Sequence, residues 1–219
     1  MTGAGQGDLA ADKAEALKLT PVSRETQKRL ETFVDLLLQW QKKTNLISPA
    51  TIPNLWTRHV ADSLQLLDLV PEAKTWVDFG SGGGFPGIPV ACVLADRPGA
   101  NVHLVESNGK KAAFLREAIR ATGLPAVVHA RRIEDCGDSF GDKIDVVSAR
   151  ALAPLKILCD QAFPLIAKGA AGLFSKGQDV VAELTDAAKY WKIEAKTVLS
   201  RTSPEGCIVV VRSLERLKS

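Results

Sequence analysis

The stretch Asp78-Phe79-Gly80-Ser81-Gly82-Gly83-Gly84-Phe85-Pro86-Gly87 decides the fold. It begins in the β-rich run TWVDFG and leads straight into a helical pattern from Gly87 to Ala95. Glycines at such a turn accept positive φ and let a ligand approach the backbone closely. The helix start behind them presents free N–H groups and partial positive charge to a carboxylate or phosphate. Pro86 stands where a first-turn proline suits a helix start.

Outward from this turn the chain alternates. TWVDFG, NVHLVES, AVVHA, KIDVVSAR, AAGLFSKG and CIVVVR read as strands, with a further strand near Lys192–Leu199. Gly87 to Ala95, Asn108 to Thr122, Pro154 to Ala167 and Asp179 to Lys189 read as helices. This order predicts an α/β fold with a doubly wound, mostly parallel, seven-stranded sheet covered on both faces. The turn Thr202-Ser203-Pro204-Glu205-Gly206 joins the last two strands as an antiparallel hairpin at the sheet edge.

Before Pro71 the pattern is helical. Leu30, Phe33, Val34 and Leu37 recur at i, i+3, i+4 and i+7, with Ser23 as N-cap and Glu25 as an early acid. A second helix is expected from about Pro53 to Leu69, with Trp56, Val60, Leu64 and Leu67 facing inward. The expected division is therefore 1–22 as a disordered lead-in, 23–70 as a helical cap over the cofactor cleft, and 71–219 as the α/β domain.

Composition narrows the function classes. Of 219 residues, 46% are hydrophobic and 24% charged, an ordinary globular balance. No apolar run reaches the roughly 18 residues of a membrane helix, and the first twenty residues lack a signal peptide's apolar core. These readings predict a cytoplasmic protein with no membrane partner. A net charge of +3 neither announces nor excludes nucleic acid. Cys92, Cys136, Cys159 and Cys207 form no CxxC pair, so they read as reduced thiols in packing roles, with no metal expected.

The ligand of the glycine turn is the harder question. Gly82-x-Gly84-x-x-Gly87 fits the dinucleotide fingerprint, and Glu106 falls where a ribose-binding acid would stand. On that evidence alone a nicotinamide dinucleotide and S-adenosylmethionine are not separable. Two features favour the latter: Asp78-x-Gly80-x-Gly82, and the absence of Tyr-x-x-x-Lys, since Tyr190 is followed at that spacing by Glu194. Glu106 would then accept from the ribose hydroxyls. The Gly80–Gly84 backbone would run under the methionine portion with Phe85 beside it, and Ile133-Glu134 would line the adenine.

With these residues in hand, the chain resembles the glucose-inhibited division protein B family, the bacterial 16S ribosomal RNA guanine-N7 methyltransferases. Asn45-Leu46-Ile47-Ser48, Arg58-His59-Val60-Ala61-Asp62-Ser63, Asp78 through Pro89, Ser148-Ala149-Arg150-Ala151 and Lys176-Gly177 carry the resemblance, in order, over roughly residues 24–212. Gly83 departs from the pattern, standing where relatives often have proline. The resemblance implies a class I, Rossmann-like methyltransferase that moves the methyl of S-adenosylmethionine to N7 of a guanosine in the 530 loop, leaving S-adenosylhomocysteine. Its RNA partner would be 16S rRNA, the small subunit or an assembly intermediate. It also implies a cofactor site of Gly80, Phe85, Ile133, Glu134 and Arg150, to which the residues themselves add Gly82, Gly84 and Glu106.

Guanine N7 carries a lone pair and no proton, so its methylation needs placement rather than a general base. The sequence agrees: it has no Asn/Asp-Pro-Pro-Tyr/Phe motif for exocyclic amines and no Pro-Cys nucleophile for cytosine. His59, Asp62 and Ser63 share a helical face at i, i+3 and i+4, and Arg58 is spaced to pair with Asp62. The expected catalytic group is Arg150, His59 and Asp62. Substrate binding is expected from Asn45, Arg58, Ser63 and Lys176. Arg131-Arg132, Lys110-Lys111 and Lys42-Lys43 are further basic positions. The alternatives are a methyltransferase of a small molecule or protein, and a non-catalytic cofactor-binding protein.

Overall fold

The computed structural model describes residues 3–217 except 138 and 142, with side chains from residue 9 onward. Its sheet contains β1 (Thr75–Phe79), β2 (Asn101–Val105), β3 (Ala126–His129), β4 (Val146–Arg150), β5 (Ala171–Lys176), β6 (Trp191–Leu199) and β7 (Cys207–Arg216). The strand order is β3-β2-β1-β4-β5-β7-β6. β1 to β5 run parallel, while β7 pairs antiparallel with both β5 and β6. The order reverses between β1 and β4, and in such sheets ligands gather beyond the carboxyl ends of the strands at that reversal.

Four helices follow their strands much as the periodicity predicts: α4 (Gly87–Leu94), α5 (Gly109–Thr122), α6 (Leu155–Ile166) and α7 (Val180–Ala187). Asn108 starts α5 by accepting the N–H groups of Lys110 and Lys111, and Gly123, at φ 65°, ends it in the left-handed region. Strand alternation separates two cores. Trp76, Leu104, Val146 and Leu173 face α4, α5 and the N-terminal helices. Val77, Phe79, Val147 and Phe174 face α6 and α7. The same alternation puts Ser148 and Arg150 on the first face and Lys176 on the second.

The N-terminal region differs from its expected form in two ways. Within the expected disordered lead-in 1–22, Gly3–Leu19 instead forms helix α1; Met1 and Thr2 lie outside the described residues. Its apolar face is small, which hid it from a periodicity reading, but Asp12 accepts the N–H groups of Trp56 (2.7 Å) and Thr57, and Ala16 is buried. Helix α2 (Arg24–Gln41) is as read, capped by the Ser23 hydroxyl and burying Leu30, Phe33, Val34 and Leu37.

The second expected helix is instead a chain of unlike turns. Pro49–Asn54 is a 3-10 segment, Trp56–Ala61 a π segment, Asp62–Leu64 a turn of α-helix (α3), and Gln65–Leu69 again 3-10. Trp56, Val60, Leu64 and Leu67 are buried as expected. The region shares one hydrophobic core with α4, α5 and the sheet. Its 56–62 stretch reaches the carboxyl end of β4. Single π turns often mark functional sites, because they shift side chains off the α-helical register.

Candidate functional site

Two cavities open beyond the carboxyl ends of the strands and share Ala151 and Leu152 in their walls. The smaller, 360 Å³, is lined by Gly80, Gly82, Glu106, Ile133, Glu134 and Gln161 among others. The larger, 610 Å³, lies between β4, β5 and the β6–β7 turn, with Arg58, Asp62, Arg150, Lys176 and Thr202 in its wall.

The smaller cavity is built on the glycine turn. Gly80 and Gly82 have φ of 65° and 51°, a backbone that L side chains rarely adopt. A Cβ on Gly80 would stand 2.5 Å from a Leu152 methyl. Glu106, largely buried, accepts the N–H of Gly82 at 2.9 Å and of Asn108 at 2.7 Å. Each carboxylate oxygen keeps a second lone pair for a donor in the cavity. The Gln161 Oε1 atom is buried and accepts no hydrogen bond among the described residues. A carboxylate for a diol, apolar Ile133 and open backbone at two glycines fit an adenosyl group with a short amino-acid arm.

Gly84 and Phe85, expected at the cofactor, do not line that cavity. A Cβ on Gly84 would meet Ile88 at 2.9 Å and Phe33 at 3.1 Å, so this glycine admits helix packing. Phe85 is buried between Phe33 (5.3 Å between centroids) and His59 (4.9 Å). Arg150 also falls outside it, in the larger cavity.

Asp78 explains the rigidity of the turn. It is fully buried, accepts the Ser148 hydroxyl at 2.8 Å and the Gly87 N–H at 3.3 Å, and Ser148 in turn accepts from the Trp76 indole at 2.8 Å. Burial raises the carboxyl from 3.8 to about 7, against the opposing pull of these hydrogen bonds. A carboxyl raised on folding gives stability that is full below pH 3.8 and is lost as pH climbs through about 7. Asp78→Asn should therefore flatten the pH dependence of the urea midpoint between pH 4 and 7. Parallel curves for the two proteins would contradict the assignment.

Arg150 is the hub of the larger cavity. Its Nη1 donates to His59 Nδ1 (2.9 Å), its Nη2 to the Arg58 carbonyl (2.8 Å), and its Nε lies 3.3 Å from Asp62 Oδ2. Burial pulls the guanidinium below its ordinary value while Asp62 acts against that pull. Because Arg150 is always a donor, His59 Nδ1 must be the acceptor, which leaves the proton on Nε2, 2.8 Å from Thr51 Oγ1. Thr51 passes its own hydrogen to the Ser48 carbonyl. Burial, then Arg150 and Arg58, lower His59 from 6.5 to about 3. The imidazole is thus neutral, fixed in one tautomer and engaged at both nitrogens. The pH–rate profile should carry no limb from His59 between pH 5 and 8; a limb near 6.5 that disappears in His59→Gln would overturn this.

Asp62 also gathers the β6–β7 turn, accepting Thr202 Oγ1 at 2.6 Å and Gln65 Nε2 at 2.8 Å. The expected Arg58–Asp62 pair is not formed. Asp62 turns to Arg150, and exposed Arg58 makes no side-chain hydrogen bond or ion pair among the described residues, since the π turn spoils the i, i+4 register. Ser63, expected at the substrate, is turned inward, donating to the His59 carbonyl at 2.6 Å, and lines neither cavity. Asn45 is exposed and lines neither cavity; its neighbours Leu46 and Ile47 lie against Gly83. Lys176 does line the larger cavity, but its ammonium is held by the Ala153 carbonyl and Glu183, both at 2.6 Å.

Sequence reasoning missed Leu152, Gln161, Thr51 and Thr202. Only the last carried a signal, as part of the predicted turn, and nothing local to it named Asp62 as its partner. The four cysteines are free and buried, and burial pushes Cys92 up to about 12, which suits packing. Among the described residues no cluster of three or more His, Cys, Asp or Glu could hold a metal ion, and no helix is long and apolar enough to cross a membrane.

The model of the family described as "rRNA small subunit methyltransferase G" (GidB) matches residues 26–207. The chain belongs to this family. A "Ribosomal RNA small subunit methyltransferase G" of Bradyrhizobium sp. (strain ORS 278) is 61% identical over 97% of this chain and 96% of its own length. One from Rhodopseudomonas palustris (strain BisB18) is 61% identical over 95% of this chain and 89% of its own. Among solved structures, an O-methyltransferase from Bacillus cereus shares the fold at a TM-score of 0.58, with 16% identity over 94% of this chain and 99% of its own. A putative O-methyltransferase from Klebsiella pneumoniae does so at 0.56, with 12% identity over 96% and 99%. The fold is thus that of the class I methyltransferases. As a family member the protein is a methyltransferase, and S-adenosylmethionine is its methyl donor.

Proposed function

We propose that this protein methylates N7 of a guanosine in the 530 loop of 16S ribosomal RNA, with the RNA, the small subunit or an assembly intermediate as its partner. The observation that carries the reading is the meeting of the two cavities at Ala151–Leu152, where Arg150 in the wall of the larger is held by His59, a residue that lines neither cavity. S-adenosylmethionine, when bound, supplies a methyl carbon on a positively charged sulfur, which a ring nitrogen can take with its own lone pair. Nothing then needs to remove a proton, and the residues of the larger cavity place the base instead.

In this reading Glu106 grips the ribose diol, the backbone at Gly80 and Gly82 carries the methionine arm, and Ile133 and Glu134 wall the adenine. Arg150, positioned by His59 and Asp62, forms the side of the base pocket. Arg58, with its guanidinium uncommitted, contacts phosphate, and Lys176 is a fixed wall rather than a reaching hand. Arg131, Arg132 and Lys111 stand at the rim of the cofactor cavity, where they favour a polyanion and would make binding fall with salt.

Mass mapping of rRNA from cells with and without the gene, joined to methyl transfer in vitro, tests the reading. A 7-methylguanosine in the 530 loop that disappears with the gene supports it. Transfer to a small molecule or a protein, with that guanosine unchanged, would replace it.

A further inference from the structure

Thr51 stands in the 3-10 segment Pro49–Asn54, half-buried, and lines neither cavity. Its backbone N–H already closes that turn on the Ser48 carbonyl at 3.0 Å. The hydroxyl donates to the same carbonyl at 2.8 Å, so the turn does not depend on it. What the donation settles is the other side of the oxygen. With its hydrogen committed, Thr51 Oγ1 meets His59 Nε2, 2.8 Å away, only as an acceptor.

The His59 ring needs such a partner. Phe85 packs against it, 4.9 Å between centroids, and holds the plane of the ring, but an aromatic face does not tell one edge of an imidazole from the other. The torsion that turns the ring is broad and roughly two-fold. A half-turn would bring ring carbons to Arg150 and Thr51 in place of both nitrogens. Two hydrogen bonds oppose that turn: Arg150 Nη1 to Nδ1 at 2.9 Å, and Nε2 to Thr51 Oγ1. Of these partners only Thr51 is short and tied to backbone, through Ser48; Arg150 is the long side chain that has to be placed.

We propose that Thr51 is a positioning residue for methyl transfer. By accepting from His59 Nε2 it keeps Nδ1 turned to Arg150, and so fixes the guanidinium in the wall of the larger cavity. The inference rests on the reading in which Arg150 forms a side of the base pocket.

Nitrogen-15 spectra of the histidine rings and rRNA methylation kinetics provide the test. Both are recorded for the full chain, Thr51→Val, Thr51→Ser, Arg150→Ala and the Thr51→Val/Arg150→Ala double variant. In the full chain the His59 ring should show a bare Nδ1 and a protonated Nε2. Thr51→Val, nearly the same shape without the acceptor, should lose that single pattern. It should also lower kcat/KM for rRNA about tenfold, the equivalent of one net hydrogen bond, with S-adenosylhomocysteine affinity unchanged. Thr51→Ser should restore both readings. In the Arg150→Ala background the Thr51→Val change should cost less than about twofold, because the two residues act through one ring. An unchanged ring pattern in Thr51→Val overturns the proposal, and so does a tenfold loss that repeats in full without Arg150, which would make Thr51 a brace of its own segment. If Arg150→Ala methylates normally, the base-pocket reading falls and takes this proposal with it. Should Thr51→Val fail to fold, Thr51→Ala removes the same acceptor.

Discussion

Arg150→Ala should lower kcat/KM for rRNA methylation by about 100-fold, while S-adenosylhomocysteine binding stays within a few-fold of the unmodified protein. The side chain ties β4 to three groups of one short stretch that lies some ninety residues earlier: the His59 ring, the Arg58 carbonyl and the Asp62 carboxylate. Its removal frees the 56–62 stretch from the end of β4, and a misplacement of about 1 Å is enough for a loss of that size. Arg150→Lys should not restore the rate, because one ammonium cannot serve three fixed directions as a planar guanidinium does. Cofactor affinity is spared because Arg150 does not line that cavity. A variant with near-normal turnover would remove Arg150 from the site, and a collapse of cofactor binding would return it to the role the family resemblance implies.

Glu106→Ala should weaken S-adenosylhomocysteine binding by about 100-fold or more, since hydrogen bonds to a charged group contribute roughly 1.5–3 kcal/mol each and two ribose hydroxyls are at stake. The variant also leaves the Gly82 and Asn108 N–H groups without their acceptor. Glu106→Gln keeps one carbonyl oxygen for those donors and should fall between the two. Calorimetry with both variants, beside a thermal melt to confirm folding, decides the matter. Cofactor affinity unchanged in Glu106→Ala would reduce Glu106 to a brace between the glycine turn and α5.

These two residues show different degrees of legibility. The place of Glu106 beside the glycine turn was readable because its signal is local: it follows a strand at a fixed distance from that turn, and the parallel register of β1 and β2 brings the two together. Arg150 was readable by resemblance, but its partners were not. The sequence places Arg58 and Asp62 at helical pairing distance, and only the π turn breaks that pair and delivers Asp62 to the guanidinium. That Ser63 is turned inward and Asn45 lines neither cavity was not legible, because the direction of a side chain on an irregular helix or loop is set by neighbours far along the chain. Helix α1 was missed since its few buried positions are small, and the Asp12 hydrogen bonds that anchor it reach across more than forty residues.

The sequence by itself determined the alternation of strands and helices, the glycine turn, the hairpin at the sheet edge, and an acidic residue beside that turn. Each is written in a periodicity or a spacing within a few tens of residues. Tertiary structure alone decided that the two cavities meet at Leu152, that the His59 ring is engaged at both nitrogens, and that Phe85 and Gly84 belong to packing. Those outcomes depend on which side chains are dehydrated together and which donor finds which acceptor, and such contacts exist only once the chain has closed on itself.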